Sequence, residues 1–184
     1  MIRQAWLRAG ICLVLALLLL GAAQPAKAQQ TAQLSISPQI SSVQMGQTFQ
    51  VSVNVADVVG LFAFELNVAF PPHLLQVVSV ENGGFLTPWI AIPFIDNEAG
   101  LARLDVSQGP VPANDPAPPQ SGSGTLMLIT FQAQANLGEG DLLIAESILS
   151  DIDGLPMDYQ AQGGSVRVCD GIYCLRVFLP LAIN

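Results

Sequence analysis

Residues 46–80, GQTFQVSVNVADVVGLFAFELNVAFPPHLLQVVSV, carry the clearest pattern in the chain. Phe49, Val51, Val53 and Val55 recur at every second position, and so do Phe62, Phe64, Leu66, Val68 and Phe70. A period of two puts one face of a strand in a core and the other in water. The pattern predicts strands at Gln47–Ala56 and Leu61–Phe70, with Asp57–Gly60 as the turn between them. Pro71-Pro72 stops the second strand, because proline has no N–H to give a ladder. The segment holds no cluster of nucleophile, base or metal ligands. It reads as a sheet that presents a surface.

The same reading extends outward. Gln33–Ser37 alternates ahead of it. Leu74–Glu81, Trp89–Ile95, Ala99–Ser107, Thr125–Ala135, Leu142–Leu149 and Gly164–Cys169 follow it as strands. Asn82-Gly83-Gly84 and Gly138-Glu139-Gly140 are turn signals. Residues 109–124, GPVPANDPAPPQSGSG, are rich in Pro, Gly and Ser and predict a long surface loop. No helical period runs through the body of the chain. Nine short strands at this spacing predict an all-β fold, a nine-stranded antiparallel sandwich. No internal repeat is visible.

The first residues have a different character. Arg3 and Arg8 precede an unbroken apolar run, Ile11–Leu20, and Ala26-Lys27-Ala28 supplies a small-residue cleavage site. That is the layout of a secretory signal peptide over residues 1–28. Its apolar core falls short of the roughly 20 residues a bilayer span needs, so no membrane insertion is expected after cleavage. Cys12 would leave with the peptide. The mature chain, residues 29–184, suits one domain at 29–170 and an apolar tail at 171–184. Export places the protein outside the cell or at its surface.

Three arginines then face 14 acidic residues, a net charge of −11, with no lysine left. Nucleic acid and anionic membrane both need basic patches and are excluded as partners. Cys169 and Cys174, in CDGIYC, are expected to pair as a disulfide in an oxidising setting. Asp170-Gly171 between them favours a tight turn.

The ordered set of motifs carries a family resemblance. Gly46-x-Thr48-Phe49-x-Val51-x-Val53 is followed by Phe70-Pro71-Pro72, then Leu74-Leu75-x-Val77-Val78-Ser79-Val80. Later come Gly122-Ser123-Gly124-Thr125-Leu126, Ile129-Thr130-Phe131, Leu149-Ser150-Asp151 and Gly164-Ser165-Val166-Arg167-Val168. In this order, from about Leu34 to Val168, the chain resembles the cohesin domain. That family is the receptor half of cohesin–dockerin pairs in cell-surface polysaccharide-degrading assemblies. The resemblance implies a jelly-roll sandwich that is not an enzyme, needs no cofactor and binds an extracellular protein, such as a dockerin-bearing one. The chain has Phe70-Pro71-Pro72 where the family commonly has Tyr-Asp-Pro. Polar recognition positions of the family, matched back from the proline, fall on Ala63 and Glu65. Only Glu65 keeps a polar group.

Glu65 and Asn67 are therefore the candidate anchors for a protein partner, with Gln108 placed on the same face. The competing assignment is a merely solvated side of a half-buried strand. Phe85, Trp89 and Phe94 are candidates for stacking on sugar rings in a carbohydrate-binding alternative, in which the partner is a polysaccharide. Their apolar neighbours favour packing instead. Asp151, Asp153 and Asp158 resemble part of a calcium loop but lack its terminal glutamate, so Gly154 is assigned to a turn and no metal is expected. His73, the one histidine, has no motif tying it to a nucleophile. A structural envelope or matrix role is the remaining reading. The tail FLPLAIN, residues 178–184, is an added edge strand or an attachment signal.

Overall fold

A computed structural model describes residues 31–109 and 118–170 together with Cys174. The predicted signal peptide, the middle of the proline-rich loop and the FLPLAIN tail lie outside the described residues. Twelve strands make up the fold: β1 Ala32–Ser37, β2 Ile40–Gln44, β3 Thr48–Leu61, β4 Ala63–Ala69, β5 Leu75–Asn82 and β6 Ile90–Asp96, then β7 Leu101–Ser107, β8 Gln120–Ala133, β9 Gly138–Ile144, β10 Ile148–Ser150, β11 Tyr159–Gln162 and β12 Gly164–Cys169. They form two sheets. One runs β11-β1-β3-β8-β5, and the other β2-β12-β9-β4-β7-β6 with β10 beside β4.

The alternation read from the sequence sets the packing. Val51, Val53 and Val55 of β3 and Phe64, Leu66 and Val68 of β4 all point into one core. Ile129 and Phe131 of β8 and Leu104 and Val106 of β7 meet them there. Phe131 is the largest fully buried side chain. It stacks on Phe49 at 5.6 Å between ring centroids and meets Phe70 edge-on at 5.3 Å. Such aromatic pairs stabilise by about 0.5–1.5 kcal/mol beyond the area they bury.

The all-β sandwich expected from the sequence is what forms, with twelve strands in place of nine. β2, β10 and β11 are the added ones, short and weakly alternating. Two pairings are parallel, β1 with β11 and β12 with β2, so the sandwich is not wholly antiparallel.

Three turn or loop assignments are corrected. Asp57–Gly60 is not a turn, because β3 runs through it. Asp57 and Gly60 take positive φ angles of 57° and 80°, and the register with β8 shifts on both sides of Val58. These bulges absorb the turn-forming residues without ending the strand. Val58 and Leu61 pair with Gly122 and Gln120, so the Ser-Gly end of the expected loop is strand as well. Ser121 and Ser123 hydroxyls accept from the Gly60 and Asp57 amides at 2.9 and 3.3 Å. Gly138-Glu139-Gly140 opens β9 rather than turning. A side chain at Gly140 would come within 2.7 Å of Pro71, so the glycine is there for a close approach by the Pro71–Leu74 turn.

Proline within β6 has a positional explanation. The bonds Gln108 N–H to Phe62 O and Phe70 N–H to Gly100 O fix which residues of β7 bond to β4. The alternate residues, including Arg103 and Asp105, therefore bond to β6. Pro93 lies opposite Leu104, between those bonded rungs. Its nitrogen faces the outer edge of the sheet, where no described strand needs a donor.

Cys169 at the end of β12 is disulfide-bonded to Cys174, with 5.5 Å between their Cα atoms. Cys174 N–H donates to the Asp170 carbonyl at 3.3 Å; Gly171 of the expected turn lies outside the described residues.

Candidate partner-binding face

The outer face of the larger sheet can be read row by row from its register. One row runs Ile92, Asp105, Glu65, Ile148 across β6, β7, β4 and β10. The next runs Phe94, Arg103, Asn67. Two carboxylates thus sit side by side at the centre, with a half-exposed isoleucine at each end, 49% for Ile92 and 51% for Ile148. Strand spacing puts those isoleucines roughly 14 Å apart.

Arg103 belongs to this face and to no one partner. Its guanidinium lies 5.2 Å from the Phe94 ring centroid, a cation–π contact. Its Nε is 3.4 Å from Asp105 Oδ1, too poorly aligned for a hydrogen bond, and both atoms are buried without another partner. Burial pushes the Asp105 carboxyl above its ordinary value, the Arg103 charge draws it back, and the Glu65 charge pushes it up again.

Asn67 marks a break in the sheet. β9 pairs with β4 only at Val68 and Ala69, and β10 takes over at Glu65. Between them Ala145, Glu146 and Ser147 bulge away from the ladder. Asn67 closes the gap with its own groups. Its N–H donates to Ser147 Oγ at 3.0 Å, and its carbonyl accepts from Ala145 N–H at 2.8 Å. Its side-chain amide donates to Glu65 Oε1 at 3.1 Å and to the Glu146 carbonyl. Tyr159, reaching over from β11, braces the bulge from below. Its hydroxyl accepts from Ser147 N–H at 3.2 Å and donates to the Ser147 carbonyl at 2.9 Å. The result is a groove of about 750 Å³ lined by Glu65, Asn67, Leu101, Glu146, Ser147 and Ile148.

The residues singled out from the sequence fall in several places. Glu65 and Asn67 are together on the outer face, but Asn67 is committed to holding the bulge. Gln108 is corrected: one residue past the end of β7, it is 3% exposed, turned inward, and contributes nothing to that face. Phe85 packs partly buried against the core. Trp89 and Phe94 are exposed rather than packed, Trp89 at 63%, because β6 is an edge strand with little above it. The Trp89 ring lies against Gly109. Asp151 spends its carboxylate on the amides of Asp153 and Leu155, at 3.0 and 2.8 Å, which is the chemistry of a turn. Among the described residues no cluster of three or more His, Cys, Asp or Glu could hold a metal ion. Arg103, Asp105, Glu146 and Ile148 were not singled out from the sequence. The alternation of Ala99–Ser107 placed Arg103 and Asp105 on one face, and only the strand order brings that face beside Glu65.

The family model described as the cohesin domain matches residues 34–167. The chain belongs to the cohesin family. Solved cohesins share its fold at low identity. A non-cellulosomal cohesin from Archaeoglobus fulgidus is 17% identical, with 76% of this chain and 92% of that one covered and a TM-score of 0.60. The third ScaC cohesin of Acetivibrio cellulolyticus, solved in complex with the ScaB dockerin, is 19% identical over 75% of this chain and 99% of that one, at 0.61. The cohesin–dockerin complex Coh-OlpC-Doc435 of Clostridium thermocellum matches at 14%, over 80% and 99%, at 0.62. No curated protein sequence matches this cohesin.

Proposed function

We propose that this cohesin is an exported, non-catalytic module that binds a dockerin-type protein through the outer face of its larger sheet. Residues 1–28 direct export and are removed, residues 29–170 form the binding domain, and residues 171–184 follow as a tail. The observation that carries the reading is the cohesin match over residues 34–167. Cohesin domains are interaction modules, and two of the structures above are complexes with dockerins. The row Ile92–Asp105–Glu65–Ile148 supports the choice of face: apolar shoulders around a polar centre suit a protein interface. Glu65 is the principal anchor, and Asn67 acts by shaping the surface.

The test is titration calorimetry of the mature chain against a panel of recombinant dockerins. At least one should bind, and Glu65→Ala should weaken it by tenfold or more. A panel in which none binds at 100 µM protein would count against the reading.

The exposure of Trp89 and Phe94 favours a second reading, in which these rings stack on a polysaccharide. A glycan array with the mature chain separates the two. Specific glycan binding abolished by Trp89→Ala, without any dockerin binding, would replace the first reading by the second.

A further inference from the structure

We infer that the groove beside Asn67 receives a lysine or arginine side chain of the partner protein. This rests on the protein-binding reading above. The stem of such a side chain is aliphatic and its tip is charged, and it buries the one while keeping the other paired. The groove offers both surfaces. Leu101 and Ile148 are its apolar lining, and Glu65 and Glu146 are its acidic one. Asp105, opposite Glu65 in the β4–β7 ladder, adds a third carboxylate to the face outside the groove lining.

Among the described residues neither arginine is placed to fill the groove. Arg103 and Arg167 are the basic residues within the described parts of the chain. Arg103 is held between Asp105 and Phe94, and Arg167 is paired with Glu139. Asn67 adds a reason. Both of its amide hydrogens are used, one on Glu65 and one on the Glu146 carbonyl. The groove therefore presents acceptors and carboxylates toward an incoming group, which is the complement of a guanidinium or ammonium. The Tyr159 brace on Ser147 holds one wall in place before any partner arrives, so little ordering is left to the moment of binding.

Two arms test this. In the first, n-propylguanidinium is titrated into the mature chain while NMR follows the Leu101 and Ile148 methyl groups and the Asn67 side-chain amide. A saturable shift is expected, absent with 1-propanol and absent in a Glu65→Gln/Glu146→Gln variant whose fold is checked by circular dichroism. No shift, or the same shift in the variant, overturns the inference. In the second arm, each dockerin that binds is compared with a version whose surface lysines and arginines are changed to glutamine. Binding should weaken at least about tenfold, and no further when Glu65→Gln/Glu146→Gln is added. Dockerin binding indifferent to both sets of changes overturns the inference and leaves dockerin binding standing, without Glu65 as its anchor. A saturating propylguanidinium shift with no dockerin bound keeps the groove and removes the dockerin reading.

Discussion

Glu65 and Asp105 stand directly opposite each other across the β4–β7 ladder, carboxylate beside carboxylate on the exposed face. Like charges in that position oppose pairing of the strands, by about 0.2–1 kcal/mol. The folded protein tolerates them because Arg103 lies diagonal to the pair and because part of the cost falls on Asp105, whose carboxyl is raised by burial first and by Glu65 as well.

That raised carboxyl gives a pH dependence with a definite sign. Between the ordinary value of 3.8 and the raised one, the folded chain binds more protons than the unfolded chain. Stability from this group therefore falls as pH climbs through that interval and stays lower at neutral pH. Asp105→Asn should raise the urea midpoint at pH 7. The advantage should fade as pH drops below 3.8, where wild type and variant are both uncharged at this position. A variant less stable at pH 7 would mean that the Arg103 contact outweighs the burial.

Asn67→Ala should cost about 1–3 kcal/mol, because the Glu146 carbonyl and the Glu65 carboxylate lose their donor together. Amide exchange should speed up at residues 145–147 more than in the core strands. Uniform loosening of the whole sheet would contradict the assignment of Asn67 to the bulge.

Tyr159→Phe removes only the hydroxyl that both donates to and accepts from Ser147. A loss of about 1 kcal/mol in chemical denaturation is expected. It should weaken partner binding without touching the outer face, since Tyr159 works from the other side of the bulge.

Phe131→Ala should be the most damaging of these changes, at about 3–5 kcal/mol. Its ring bridges Phe49 and Phe70, so the cavity opens at the centre of the core. Thermal unfolding followed by circular dichroism measures it.

Reducing the Cys169–Cys174 bridge should lower stability by about 2 kcal/mol, a modest effect because the closed loop is so short. The shift in denaturation midpoint between oxidised and reduced protein reads it directly.

The pattern of Phe49 to Phe70 was legible because alternation survives any topology: a residue that faces the core does so whichever strand lies beside it. Asp57 and Gly60 misled because the same left-handed angles serve a turn and a bulge. Local sequence does not say whether a strand such as β8 waits to pair across them. Ser121–Gly124 misled for the matching reason, being loop-like in composition and strand by partnership. Glu65 was legible from its place before Phe70-Pro71-Pro72. Asp105 and Glu146 were not tied to it, since they lie 40 and 81 positions further on and only strand order makes them neighbours. Gln108 failed by one position: β7 ends at Ser107, and a single step flips a side chain from outside to inside.

Pro93 has a consequence for crowding. An apolar strand left open at a sheet margin invites another chain to add itself as the next strand, which is how ordered aggregates begin. The outward-facing ring at Pro93 withdraws one donor from the middle of that margin and sets its bulk where an added strand would lie. At the β6 margin another backbone is therefore hindered from adding itself as the next strand, while the β6 side chains stay exposed.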